Sequence, residues 1–261
     1  MAPEKGPRPE PDKEKIESPE TEEKVSLRDF LTYENPNLPR YQRLIEEELK
    51  SGGTTFPQQF SEGWVDIYFN SSPNARGEEK YNPQGEQQKE LRRLFGEKLQ
   101  GEILIDVGGG QAEFMQELAK KSGVKRYINV DYWNRESDQP LDPYVGRPAQ
   151  SDYPRLPENE RVRPMEAILV GADMLDFVAR LPNNSCNFVI NGIDQYTASN
   201  NDYRKALMEE LIRTTKVGGI VFGMGSDIWL RDDPRLKDVG KKLGLDVGSY
   251  TSEAIFEKVK E

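Results

Sequence analysis

Residues Ile103–Glu113 read I-L-I-D-V-G-G-G-Q-A-E, and this stretch limits the possible folds more than any other. Three apolar residues run into an acid and then into Gly108-Gly109-Gly110. A buried strand that hands over to a helix within a few residues needs backbone freedom. Glycine supplies it, because it tolerates φ > 0 and carries no Cβ. Behind the turn, Phe114, Met115, Leu118 and Ala119 recur with the period of an apolar helix face. The pattern predicts strand, tight turn and helix, the first half of a βαβ unit.

A helix start after such a turn presents unpaired N–H groups and partial positive charge, so it attracts anionic or oxygen-rich ligand groups. The dinucleotide fingerprint G-x-G-x-x-G is met at Gly108 and Gly110, but Glu113 holds its third position. A carboxylate there would face a pyrophosphate, which argues against NAD or FAD. An acidic turn suits a ligand that carries an ammonium group. With Asp106, Gly108 and Gly110, and Ala112 in place of a last glycine, the stretch resembles the first motif of the class I S-adenosylmethionine (SAM)-dependent methyltransferases. That motif is an acid, one residue and G-x-G-x-G.

The downstream order strengthens the resemblance. A second strand, Arg126–Val130, ends at Asp131, which lies 131 − 110 = 21 positions beyond Gly110. An acid about 20 residues past the glycine turn is where this fold binds ribose hydroxyls, since a carboxylate accepts two hydrogen bonds from a vicinal diol. A third strand, Ala167–Gly171, leads to Asp173 and Met174. The resemblance implies that Asp173 receives the adenine amine and that Met174 covers the ring. Asp173 is equally an N-cap for a helix over Leu175–Arg180, and one carboxylate could serve both roles.

A fourth strand, Cys186–Asn191, is followed by Asp194-Gln195-Tyr196. In the family this strand end borders the methyl-transfer site. The resemblance therefore places Asn191 beside the cofactor and makes Asp194, then Tyr196, the candidate general base. The nucleic-acid amino-methyltransferases carry [DN]-P-P-[YF] here. This chain keeps an acid and an aromatic but no prolines, which leaves that substrate class in doubt. Asn201 or Asp202 can cap the next helix, whose stripe is Tyr203, Leu207, Met208 and Leu211. The run R-T-T-K-V-G-G-I-V-F, Arg213–Phe222, matches the family's approach to its fifth strand. Asp233-Pro234 reads as a helix start with Leu236, Val239 and Leu243 inward, and Leu245–Tyr250 with Ala254–Val259 read as a closing hairpin. The fold expected over 81–261 is α/β: a seven-stranded Rossmann-like methyltransferase sheet, mostly parallel with an antiparallel last strand.

The flanks read differently. Residues 1–24 hold five prolines, eight acids and five basic residues, too little apolar surface for a core, so a disordered tail is expected. Residues 25–80 read as a small helical appendage. Ser26 can cap a short helix, and Tyr41, Leu44, Ile45 and Leu49 share one face of another. Phe56, Phe60, Trp64 and Tyr68 then fall at intervals of four, as a packing face or an aromatic lid. Residues 132–165 form a long proline-rich crossover that leaves from the edge where ligands bind, and a lid-like insertion is expected there.

Composition narrows the chemistry. The chain has no histidine, so His-based triads and the commonest metal ligand are excluded, and no metal is expected. A net charge of −10 argues against broad binding to a phosphate backbone, which needs a basic surface. The lone Cys186 has no intramolecular disulfide partner. No apolar run approaches about 18 residues. A cytoplasmic protein without a membrane segment is expected. The resemblance implies methyl transfer from SAM to a small-molecule acceptor. The cofactor residues it implies are Asp106, Gly108, Gly110, Glu113, Asp131, Asp173, Met174 and Asn191. An aminopropyltransferase-like enzyme of the same fold, a nicotinamide oxidoreductase, or a non-catalytic binding protein are the competing readings.

Overall fold

The computed structural model describes residues 24–51, 86–110, 113–135, 139–149, 165–190, 200–224, 230–240 and 253–261. Five parallel strands form the centre of the sheet: β2 (Ile103–Val107), β3 (Arg126–Val130), β5 (Glu166–Val170), β6 (Asn187–Ile190) and β7 (Ile220–Met224). β1 (Val25–Ser26), β4 (Val145–Pro148), β8 (Leu236–Asp238) and β9 (Glu253–Lys258) extend it on both sides. Among the described residues these strands make one nine-stranded sheet in the order β1-β4-β5-β3-β2-β6-β7-β9-β8. β9 lies antiparallel between β7 and β8, as the antiparallel last strand requires.

The central strands are almost continuously apolar because helices cover both faces. One face carries α1 (Leu38–Ser51), α4 (Met174–Ala179) and α5 (Asn201–Thr214), whose Tyr41, Phe177, Leu207 and Leu211 pack on Ile105, Ile128 and Ile168. The other carries α2 (Glu86–Leu99) and α3 (Glu113–Lys121), with Phe95, Leu99, Met115 and Leu118 on Leu104, Tyr127 and Phe222. Phe95 is fully buried and its ring centroid lies 4.8 Å from that of Phe222. Burying each such ring stabilises the fold by roughly 1.5–3 kcal/mol.

Several sequence expectations need correction. Val25–Ser26 is not a helix start but a strand, antiparallel to β4. β4 itself lies within the crossover 132–165, so part of that insertion extends the sheet at its edge. Asp233-Pro234 does not open a helix: Asp233 accepts the Arg235 N–H at 2.8 Å in a turn, and Leu236–Asp238 then pairs with β9. The spacing of Leu236 and Val239 fits a helix face, but backbone pairing with β9 decides the outcome. The proposed strand Leu245–Tyr250 lies outside the described residues. On α1, Leu49 is 44% exposed while Glu48 is 3% exposed, so the buried face is rotated from the expected one. Glu48 is buried because its carboxylate accepts the Asn200 N–H at 3.0 Å.

One further acceptor, on α5, holds α1 and the residues before it. Tyr41 Oη and Asn35 Nδ2 donate to Glu210 Oε1 at 2.8 and 3.0 Å, and burial beside that carboxylate pushes the Tyr41 hydroxyl up to about 12. Among the described residues no helix is long and apolar enough to cross a membrane. Cys186 sits in the core with no exposed surface, and burial pushes its thiol up to about 12. A thiol held neutral and out of water is a poor nucleophile. Ellman's reagent is expected to find no reactive thiol in the folded protein and one per chain in guanidinium. Prompt labelling of the native protein would contradict this packing.

Candidate functional site: the carboxyl edge of the central strands

Register places the strand ends side by side. Val107 pairs with Val130 and Ile190, and Val130 pairs with Val170. The glycine turn, Asp131 and Gly171 therefore follow from neighbouring strand tips on one edge, where ligands bind in open α/β sheets.

The turn itself is held from below and from the side. Gly108 and Gly110 adopt φ of +74° and +56°, values that a residue with a side chain rarely takes. Gly108 N–H donates to the Val130 carbonyl at 2.9 Å. Gly110 N–H donates to Asp131 Oδ2 at 2.9 Å, and Asn129 Nδ2 donates to the Gly110 carbonyl at 3.1 Å. Asn134 Nδ2 in turn donates to Asn129 Oδ1 at 3.0 Å. The Asn129 and Asn134 braces were not visible in the sequence, because nothing local marks them. Asp106 is fully buried beneath the turn and accepts the Tyr127 hydroxyl at 2.6 Å. A Cβ on Gly109 would lie 2.4 Å from Asp106 Oδ2. Asp106 thus supports the turn backbone.

Asp131 is 9% exposed. Oδ2 takes the Gly110 N–H and Oδ1 takes the Trp133 N–H at 2.8 Å. Among the described residues these are its donors, which leaves one acceptor direction on each oxygen. Burial raises its pKa, and the two backbone donors oppose that rise. Beside it Trp133 is 62% exposed on the 3-10 turn Tyr132–Asn134. A ribose diol with an adjoining base therefore has a carboxylate and an aromatic surface available together.

Asp173 stands differently. Its Oδ1 accepts the Leu175 and Asp176 N–H groups at 2.8 and 3.1 Å, capping α4. Its Oδ2 accepts the Tyr203 hydroxyl at 3.0 Å and also that of Tyr132. Four donors fill the four acceptor directions of a carboxylate. Burial raises its pKa, while the hydroxyl and backbone donors work against it. The adenine-binding role is therefore not available to Asp173 in this arrangement, and the N-cap role stands alone. Tyr132 and Tyr203, whose own hydroxyls are pushed up by burial, come from sequence positions too distant to have been paired with it. Met174 is the first residue of α4 and packs, partly buried, against the core.

Glu113 opens α3, and its side chain is outside the described set. Asn191, Asp194 and Tyr196 lie outside the described residues. The residue that follows them, Asn200, caps α5 in place of the expected Asn201 or Asp202, accepting the Asp202 and Tyr203 N–H groups at 2.9 and 3.3 Å. Its own N–H is the one held by Glu48, so α1 fixes the far end of the segment that carries Asp194 and Tyr196.

No protein-family model matches the chain, and no curated protein sequence matches it. Solved structures do resemble it. An rRNA methylase from Streptococcus thermophilus is 14% identical over 68% of this chain and 99% of its own, with a TM-score of 0.40. A SAM-dependent methyltransferase from Archaeoglobus fulgidus is 18% identical over 58% of this chain and 61% of its own, with a TM-score of 0.32. A phosphoethanolamine N-methyltransferase from Haemonchus contortus is 16% identical over 62% of this chain and 31% of its own, with a TM-score of 0.33. The strand order and register themselves give a Rossmann-like α/β sheet, parallel at its centre with β9 antiparallel, and of nine strands among the described residues where seven were expected.

Proposed function

We propose that the protein transfers a methyl group from SAM to a small-molecule acceptor. The observation that carries this reading is Asp131: a nearly buried carboxylate at a strand tip, locked to the glycine turn through Gly110 and, among the described residues, keeping an acceptor direction on each oxygen. That donor set suits a ribose diol. The acidic turn, with Glu113 at the start of α3, suits an ammonium group better than a pyrophosphate.

When bound, SAM supplies an electrophilic methyl on a sulfonium, so the cofactor brings the hard chemistry. Asp131 holds the ribose, the Gly108–Gly110 backbone approaches closely, and Asp106 keeps that backbone in place from beneath. Trp133 offers a face for the base. The protein's main contribution is to orient the acceptor, which can lower a barrier by about 7–11 kcal/mol. Asp194 is the first choice for a general base and Tyr196 the second. The segment 132–165 and the aromatic run from Phe56 to Tyr68 cover the acceptor in this reading. The net charge of −10 favours a small molecule over a nucleic acid.

Calorimetry with SAM tests the reading. Micromolar binding is expected, and Asp131→Ala is expected to weaken it at least about tenfold, or about 1.4 kcal/mol, with its melting temperature recorded as a folding control. No heat with SAM but a signal with NADH would reverse the assignment to an oxidoreductase. Release of S-adenosylhomocysteine in the presence of metabolite pools then identifies the acceptor.

A further inference from the structure

The buried polar groups beneath the glycine turn continue sideways, away from β2. Asp106 and Asn129 lie opposite one another on β2 and β3, so their side chains share one face of the sheet. Neither residue has any exposed surface. Asp106 fills the space under Gly109, and Asn129 Nδ2 donates to the Gly110 carbonyl at 3.1 Å. Two strand positions thus hold two successive residues of the turn from below.

Asn129 is in turn gripped twice by one residue. Asn134 Nδ2 donates to Asn129 Oδ1 at 3.0 Å and to the Asn129 backbone carbonyl at 3.2 Å. Asn134 is 7% exposed and closes the 3-10 turn Tyr132–Asn134. The middle residue of that turn is the exposed Trp133, and the residue that caps it is Asp131. A string of buried amides therefore joins the glycine turn to the segment that presents the carboxylate and the aromatic face.

Burying amides is costly unless they are paired, and a paired network fixes one arrangement of the segments it joins. Gly110 shows this. It sits at φ +56° with its N–H on Asp131 and its carbonyl on Asn129, so both of its polar groups are tied down. The 3-10 turn has other supports of its own. The Tyr132 hydroxyl donates to Asp173, and the Trp133 N–H donates to Asp131 Oδ1. Removing the Asn134 side chain should therefore leave Asp131 and Trp133 together as a local pair. It should loosen their distance from the glycine turn.

We propose that Asn129 and Asn134 are positioning residues, which set the spacing between the glycine turn and the Asp131–Trp133 pair and so select a ligand that spans both. This rests on the methyl-transfer reading, in which the amino-acid end of SAM lies at the turn and its adenosine at Asp131 and Trp133. A ligand that reaches two places gains from their fixed separation, whereas a fragment that reaches one does not.

Full-length wild type and Asn134→Ala are titrated with S-adenosylhomocysteine and, separately, with adenosine, with the melting temperature recorded for each. Asn134→Ala is expected to weaken S-adenosylhomocysteine at least about tenfold and adenosine by no more than about twofold. An equal loss for both ligands would mark a merely structural role and overturn the proposal, as would unchanged binding of S-adenosylhomocysteine. Asn134→Ser, which retains a hydroxyl donor, gives the same readings where alanine does not fold, and is expected to lie between alanine and wild type. Amide hydrogen exchange of the ligand-free protein is the second measurement. Asn134→Ala is expected to speed exchange at Gly108–Gly110 at least about tenfold, while β7 and β9 keep their wild-type rates. Unchanged exchange at the glycine turn would sink the coupling. Wild type that binds neither ligand removes methyl transfer, and the exchange result then decides the coupling alone.

Discussion

Asp173→Ala is expected to cost about 3–5 kcal/mol of stability, from a lost helix cap and two stranded hydroxyls together. The residue is 3% exposed and takes four hydrogen bonds. Alanine would leave the N-terminus of α4 without a cap and the hydroxyls of Tyr132 and Tyr203 without their acceptor. Tyr203 is 1% exposed, so water cannot readily replace it. Losing a cap alone costs about 1 kcal/mol, and each stranded buried hydroxyl adds about 1–3 kcal/mol. Asp173→Asn keeps a cap oxygen and separates the two contributions; its loss is expected to be the smaller. Urea unfolding at neutral pH measures both. A value for Asp173→Ala within about 1 kcal/mol of wild type would show that the four contacts carry no net energy. The pH dependence has a definite sign. The folded-state pKa of Asp173 is raised, so the stability it contributes is full below the ordinary carboxylate range and declines as pH climbs through the raised value. The gap between wild type and Asp173→Ala should therefore widen on acidification across that window.

Gly109→Ala is expected to abolish cofactor binding with the fold retained. A Cβ at this position would lie 2.4, 2.5 and 2.7 Å from Asp106 Oδ2, Cγ and Oδ1. Asp106 has no exposed surface and is held by Tyr127, so the carboxylate has little room to retreat. The turn must lift instead. Lifting it stretches the Gly108–Val130 and Gly110–Asp131 contacts, which set the relation between the turn and the carboxylate proposed to hold the ribose. We expect a loss of SAM affinity of about 100-fold or more, about 2.7 kcal/mol, with a stability cost of about 1–3 kcal/mol from overpacking. Calorimetry and thermal melting on one sample give both. Wild-type affinity in a folded Gly109→Ala would mean that the turn does not form the cofactor seat.

What the sequence disclosed and what it hid follow a physical divide. The glycine turn, β2, β3, and Asp131 at the end of β3 were legible because strand, turn and helix periods are local patterns. The Asp173 cap was legible for the same reason. Its saturation was not, since Tyr132 and Tyr203 reach it from 41 and 30 residues away. The edge strands were also hidden. Val25–Ser26 is too short to show alternation, and the spacing of Leu236 and Val239 mimics a helix until β9 supplies a partner. On α1 the residue buried is Glu48, because a distant backbone N–H waits for it, and no apolar count could have found that.

The two outermost strands carry one last consequence. Val25–Ser26 closes one flank with two residues and Leu236–Asp238 the other with three. A wide sheet normally offers its borders as templates on which further chains can add. Among the described residues each border presents only a few open amide and carbonyl groups, a short template for a neighbour's strand. The parallel centre, slow to assemble and dangerous if bared, is thus fenced by blunt margins that discourage molecule-to-molecule stacking.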